Sequence, residues 1–289
     1  MTAQGVIFEN KSQPVIDYRT NFEFAAKGQK IKTAMQAPQR AATVVIRAEK
    51  PALFLFVADA HLFSAYHDYP VFRRQMELAE KHRVYLITLG DLADFFHPAL
   101  GRASTGTLEQ FFTPEEQALA VAQWLGEWDK KGLLTAVVDG NHEGFLNTSG
   151  LSFSGSFLRD LACPLLSPGG FLTLKVGEQT YRLVLSHRWR GNSRVHPAAA
   201  AKTLMGEVWP EADAAVVGHT HRKAIEMVEV AGSQKIWIVA GSYKAADPWA
   251  LASGWGDPTR GGGVCLALWP KEKRLVPFWR LEEAVDVLF

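Results

Sequence analysis

The chain has 289 residues, 47% of them hydrophobic and 11% aromatic, enough for a substantial core in one large domain or two small ones. Lys and Arg number 31 against 30 Asp and Glu, so a strongly basic or acidic protein is excluded and any nucleic-acid footprint has to be local. Two cysteines rule out a disulfide framework, no apolar run approaches the ~20 residues of a membrane span, and the first residues lack a basic-then-apolar signal pattern. The expectation is a soluble cytoplasmic protein with no membrane partner.

Residues 1–50 are polar and Gln/Lys-rich with weak periodicity, and we read them as an N-terminal extension of open role. A domain is expected over 51–289. "ALFLFVA" (52–58) is a short continuous apolar run, the pattern of a strand buried on both faces. "VFRRQMELAEKHR" (71–83) reads as an amphipathic helix and "VYLITLG" (84–90) as a second buried strand. The next helix starts at Thr113, a capping residue followed by Pro114, with Glu116 placed for a capping box. Ala118, Leu119, Ala122, Leu125 and Trp128 make its apolar stripe, and Gly132 is its stop. "LLTAVV" (133–138) is a third strand, completing an alternating α/β rhythm.

The second half is strand-rich. "FLTLKV", "YRLVLS", "AAVVG", "AIEMVEV", "KIWIVA", "VCLALW" and "LVPFW" all read as strands, with a helix over "PAAAAKTLMGEVW". Two sheets packed face to face with helices outside accommodate both halves. The Gly/Trp/Pro-rich stretch 241–263 reads as a long loop, and long loops in compact domains are usually functional or mobile.

Five of the strands end in polar residues of one kind. "LFLFVA" runs into Asp59 and His61, and "VYLITL" into Gly90 and Asp91, with Asp94 shortly after. "LLTAVVD" runs into Gly140, Asn141, His142 and Glu143. "YRLVLS" leads to His187, and "AAVV" to Gly218, His219, Thr220 and His221. The carboxyl ends of strands line the binding crevice in open α/β sheets, so these side chains are candidates for one site. A mixed nitrogen and oxygen donor set without thiolate suits Mn, Fe, Zn or Ni. Seven donors exceed what one ion takes but suit two ions sharing a carboxylate.

In order and spacing, Asp59-x-His61, Gly90-Asp91, Gly140-Asn141-His142-Glu143, His187 and Gly218-His219-x-His221 resemble the motifs of calcineurin-like metallophosphoesterases. The resemblance covers residues 59–221 and implies a four-layer α/β/β/α sandwich of two mixed sheets with a dinuclear site. It also implies roles. Asp59, His61, Asp91 and His221 would hold one metal, with Asp91 bridging. Asn141, His187 and His219 would complete the other. His142 would face the phosphate, stabilising the transition state or protonating the leaving oxygen. Asp94 and Glu143 are read as orienting groups, although a lone Asp after a strand also often caps a helix.

Arg188, Arg190 and Arg194 surround Trp189, an arrangement that can contact phosphates and bases or simply form a solvated loop. Arg222 and Lys223 pose the same choice. His67, His82, His97 and His196 are read as surface or loop residues. Trp249 and Trp255 could form a substrate wall or lid, but packing under the long loop is the favoured reading. The functional expectation is a phosphoester hydrolase using two divalent ions, Mn favoured, and a metal-activated water or hydroxide. A nucleotide or nucleic-acid phosphodiester is the favoured substrate. A phosphomonoesterase or protein phosphatase is the alternative, and a non-catalytic scaffold the weakest reading. Oligomeric state stays open.

Overall fold

The computed structural model describes residues 22–27, 29, 40–97, 106–193, 195–230, 232–245, 247–252 and 261–289. The chain forms two compact units, Met1–Pro38 and Gln39–Phe289. In the first, residues 22–27 are helical.

The second unit carries two sheets. One has six strands in the order β1-β5-β6-β7-β9-β8: β1 Ala41–Ile46, β5 Gly169–Val176, β6 Gln179–Ser186, β7 Ala214–Val217, β9 Ser233–Ala240 and β8 Lys223–Val230. The other has five in the order β11-β10-β2-β3-β4: β11 Leu275–Phe278, β10 Val264–Leu268, β2 Ala52–Val57, β3 Tyr85–Leu89 and β4 Leu134–Val138. Both sheets are mixed. β2, β3 and β4 run parallel in one, and β6, β7 and β9 in the other.

Alternation along single strands builds the layers. In β2, Leu53, Leu55 and Val57 face a helical layer of α1 (Tyr69–Lys81), α2 (Pro114–Lys130) and α5 (Leu281–Leu288). Phe54 and Phe56, on the opposite face, meet Leu172, Leu183, Val216 and Ile238 of the other sheet. Val184, Ala215, Val217 and Trp237 then cover α3 (Ala199–Val208) through Ala201, Leu204 and Met205. A strand sandwiched this way has no solvent face, so it reads as an unbroken apolar run. The result is a four-layer α/β/β/α sandwich.

The capping box of α2 forms as its sequence dictates: the Thr113 side chain accepts from the Glu116 N–H, and the Glu116 carboxylate accepts from the Thr113 N–H. One assignment in this helix is corrected. Leu119 is 54% exposed, and Gln117 takes the buried place. Gln117 can be buried because its amide oxygen accepts from the Phe95 N–H (3.0 Å) and its amide nitrogen donates to the Phe112 carbonyl (2.8 Å).

The extension boundary also differs from the expected residue 50. Ala41–Ile46 is an edge strand pairing in parallel with β5, so residues 41–46 belong to the sandwich. The loop from 241 contains a short helix, α4 (Pro248–Ala252), and residues 253–260, with Trp255, lie outside the described residues. The Trp249 side chain and Arg194 also lie outside them. No described helix is long and apolar enough to cross a membrane.

Candidate metal centre

Six parallel strands, three per sheet, point their carboxyl ends at one region. β2 delivers Asp59 and His61, β3 delivers Asp91, and β4 leads to Asn141 and His142. β6 leads to His187, and β7 to His219 and His221. The sixth end is that of β9. It supplies Ser242, Tyr243 and Lys244.

The backbone carrying these side chains is unusual. Asp59 (φ 47°), His61 (47°), Asp91 (51°), His219 (72°) and His221 (57°) all adopt the left-handed region. That conformation costs a non-glycine residue on the order of 1–3 kcal/mol and persists only where surrounding bonds impose it. Those bonds are present. The Asp59 N–H donates to the Gly90 carbonyl and the His61 N–H to the Asp91 carbonyl, both at 3.0 Å. The Gly218 N–H donates to the His187 carbonyl at 3.0 Å. Gly90 and Gly140 touch backbone to backbone, and a Cβ on Gly140 would collide with Asp91 Oδ1. Only glycine permits that approach.

Three overlapping groups of metal-competent side chains result: Asp59, His61 and His221; His61, Asp91 and His142; and Asp91, His187 and His219. Within each group, the candidate ligand atoms lie within 4.8 Å of one another. Asn141 Oδ1 stands 3.0 Å from His187 Nε2 and joins the third group. The structure thus brings all seven expected ligands and His142 together.

Hydrogen bonds fix which ring nitrogens are free. His61 Nδ1 donates to Asp94 Oδ1 (2.6 Å), leaving Nε2 to face His221 Nε2 at 3.1 Å. His187 Nδ1 donates to the Leu89 carbonyl (2.7 Å), leaving Nε2 at 3.1 Å from Asp91 Oδ2. His142 Nδ1 donates to the Asp94 carbonyl (2.8 Å), and its Nε2 lies 3.8 Å from Asp91 Oδ2. Asp59 Oδ2 accepts from the His219 N–H (2.7 Å), while its fully buried Oδ1 has no well-aligned hydrogen bond and lies 3.4 Å from His221 Nε2. A buried orphan oxygen is costly unless a cation sits beside it. The His61 Nε2 lone pair points into the same space, toward His221 Nε2, so the donor set fits divalent cations.

The electrostatics follow from burial and neighbours. Burial, aided by Lys244, pushes His61 down to about 4 and keeps it neutral, as a ligand must be. Burial and then His187 lower His219. At His187 burial opposes the charge, but Asp91, Asp59 and Glu143 outweigh it and raise the ring to about 10. A proton there satisfies the same lone pair a metal would. Burial opposes the Asp91 charge too, yet His142 and His187 hold this carboxyl well below the usual range.

Glu143 and Asp94 serve as orienting groups in the geometry. The Glu143 carboxylate accepts from the N–H groups of Asp91 (2.9 Å), Leu92 (2.9 Å) and Gly140 (2.7 Å), tying the second strand end to the third. Asp94 grips His61 through its side chain and His142 through its carbonyl. Phe96 and Phe145 flank the His142 ring at 5.2 and 4.8 Å between centroids.

The basic residues fare differently. The Arg190 guanidinium pairs with Glu207 of α3 (2.7 and 3.0 Å), and Trp189 Nε1 donates to the same carboxylate. Arg188 is exposed. Lys223 is partly buried and donates to the carbonyls of Gly261, Gly263 and Trp279, so it tethers backbone. His67 is corrected from surface to core: it is buried, its Nδ1 donates to the Ala60 carbonyl (2.6 Å), and it packs on Tyr69 and Phe72. Lys244, missed in the sequence, is buried and ion-paired with Asp94 and Asp247. Its signal was present: "KIWIVAGSYK" is one more apolar run ending in small and polar residues.

No protein-family model matches the chain, and no curated protein does. Among solved structures it is similar to a putative 5'-nucleotidase from Staphylococcus aureus in complex with alpha-ketoglutarate. The identity is 12% and the TM-score 0.41, over 79% of this chain and 54% of that one. It is also similar to Vps29 in complex with zinc from Entamoeba histolytica, with 13% identity and a TM-score of 0.37 over 78% and 96% of the two chains. A third is a predicted phosphoesterase from Streptococcus pneumoniae, with 11% identity and a TM-score of 0.35 over 80% and 99%.

Proposed function

We propose that this chain is a metal-dependent phosphoester hydrolase of the calcineurin-like metallophosphoesterase type. One observation carries the reading. Asp59, His61, Asp91, His187, His219 and His221 converge in overlapping groups whose candidate ligand atoms lie within 4.8 Å of one another, and the buried Asp59 Oδ1 accepts no well-aligned hydrogen bond. Asp59, His61 and His221 would hold one divalent cation. Asn141, His187 and His219 would hold a second, with Asp91 shared between them. Bound there, two such ions would neutralise phosphate oxygens and acidify water. The mixed nitrogen and oxygen donor set suits Mn, Fe, Zn or Ni, and we favour Mn among them.

The protein's own groups do the rest. Asp94 and the Leu89 carbonyl hold the Nδ1 protons of His61 and His187, so each ring turns its Nε2 toward the other ligands. His142 is the catalytic residue. Its Nδ1 proton is held by the Asp94 carbonyl, so the doubly protonated ring can give its Nε2 proton to a leaving oxygen and remain as the neutral Nδ1–H imidazole. Phe96 and Phe145 keep water from the flanks of that ring. We favour a phosphodiester substrate, a nucleotide or nucleic acid, supported by exposed Arg188 beside His187 and partly buried Trp189. Two buried, unpaired cysteines support a cytoplasmic setting.

The test is metal content together with turnover of bis-p-nitrophenyl phosphate and p-nitrophenyl phosphate in Mn²⁺, followed by cyclic nucleotides and single- and double-stranded DNA and RNA. Bound metal and faster hydrolysis of the diester are expected. Faster monoester hydrolysis would move the substrate class, and absence of both metal and turnover would sink the proposal.

A further inference from the structure

We infer that Lys244 is a positioning residue that acts through Asp94 to set the metal affinity of the Asp59, His61 and His221 group. This rests on the reading of that group as a metal site. Lys244 is 6% exposed, and an ammonium is seldom so buried without a partner. Its Nζ donates to both Asp94 oxygens, at 3.1 and 3.4 Å, and lies 3.2 Å from Asp247 Oδ2. The Phe96 ring covers it at 5.8 Å. Buried this way, Lys244 has no route to a substrate and can act only through what it holds.

What it holds is Asp94, and Asp94 Oδ1 is the atom that receives the His61 Nδ1 proton at 2.6 Å. One carboxylate oxygen is therefore shared by an ammonium and an imidazole. The carboxylate plane is fixed from the Lys244 side, and that plane fixes the direction of His61 Nε2. The same strand end also grips Asp59. The Asp59 carbonyl accepts from the Tyr243 N–H (3.1 Å) and Ser242 Oγ (2.8 Å), and Ser242 Oγ in turn accepts from the Lys244 N–H (2.9 Å). Two of the three residues in this group are thus oriented from the carboxyl end of β9. The Asp91, His187 and His219 group has no hydrogen bond to Lys244 among the described residues.

Selectivity is the consequence to test. Groups that orient ligands typically change metal affinity ~10–100-fold when removed. Mn²⁺ would be titrated calorimetrically into wild type, Lys244→Met, Asp94→Asn and the double variant. Lys244→Gln serves as a second neutral form, and thermal unfolding without metal is read for each. The expected result is a ~10–100-fold weakening of one of two Mn²⁺ sites in Lys244→Met. The double variant should bind no more weakly than Asp94→Asn alone, because both changes cut one chain of contacts. Wild-type affinity at both sites, or additive losses in the double variant, would overturn the inference. So would failure of both neutral variants to fold, which would make Lys244 a residue of the core. If wild type itself takes up no Mn²⁺, the functional reading falls and the inference with it; if wild type binds and Lys244→Met binds equally, only the inference falls.

Discussion

The Nε2 atoms of His61 and His221 lie 3.1 Å apart, although His61 follows a strand of the five-stranded sheet and His221 a strand of the six-stranded one. The same crossing recurs where Asp91 Oδ2 meets His187 Nε2 at 3.1 Å. The Asp59, His61 and His221 group and the Asp91, His187 and His219 group therefore each draw on both sheets. The site exists only where the two sheets are packed in their native register.

His142→Ala should lower turnover ~10²-fold or more, the usual scale of a lost proton donor, with metal content unchanged. The hydrogen bond from this residue to Asp91 Oδ1 comes from its backbone N–H (2.9 Å) and survives the substitution. Asp91→Asn should lose both metal and turnover. Steady-state kinetics beside elemental analysis separates the two, and an empty site in His142→Ala would reassign its role.

Gly140→Ala should cost ~1–3 kcal/mol of stability, because the new methyl group meets the Asp91 carboxylate and backbone. Urea denaturation measures the cost. Metal affinity should fall in the same variant, since Asp91 must shift to make room.

Mn²⁺ should stabilise the fold, by ~2.7 kcal/mol when free ion exceeds its dissociation constant 100-fold. The thermal midpoint should rise with added metal and return on chelation. In Asp91→Asn the midpoint should be indifferent to Mn²⁺.

Both cysteines should resist a thiol reagent in the native protein and react on unfolding. Burial pushes the Cys163 thiol from 9.0 up to about 12, and raises Cys265 as well. The folded chain holds these protons more tightly than the unfolded one. Stability should therefore fall with rising pH from about 9 towards about 12, by at most ~1.4 kcal/mol per pH unit for Cys163. Rapid labelling of the native protein at pH 8 would contradict the burial.

"LFLFVA" and "VYLITL" are legible as strands because burial on both faces removes every polar residue from the run, and a polar residue can return only where the strand ends. Asp59, His61, Asp91, Asn141, His187, His219 and His221 stand out for that reason, each beside an apolar run that cannot use it. The Thr113–Glu116 cap is legible because its partners are three residues apart.

Contacts between distant segments left no local trace. Lys244 meets Asp94 across 150 residues of chain, and only the packing of β9 beside β7 decides that it is a buried ion pair instead of a loop lysine. His67 looks like a surface residue until Tyr69 and Phe72 close over it. Ala41–Ile46 becomes a strand because β5 offers an open edge. The sequence by itself determined which side chains could hold a metal, since apolar periodicity and strand-end polarity are properties of short segments. Tertiary structure decided how they are grouped and what holds them, since hydrogen bonds and ion pairs act over ~3 Å and take no account of distance along the chain.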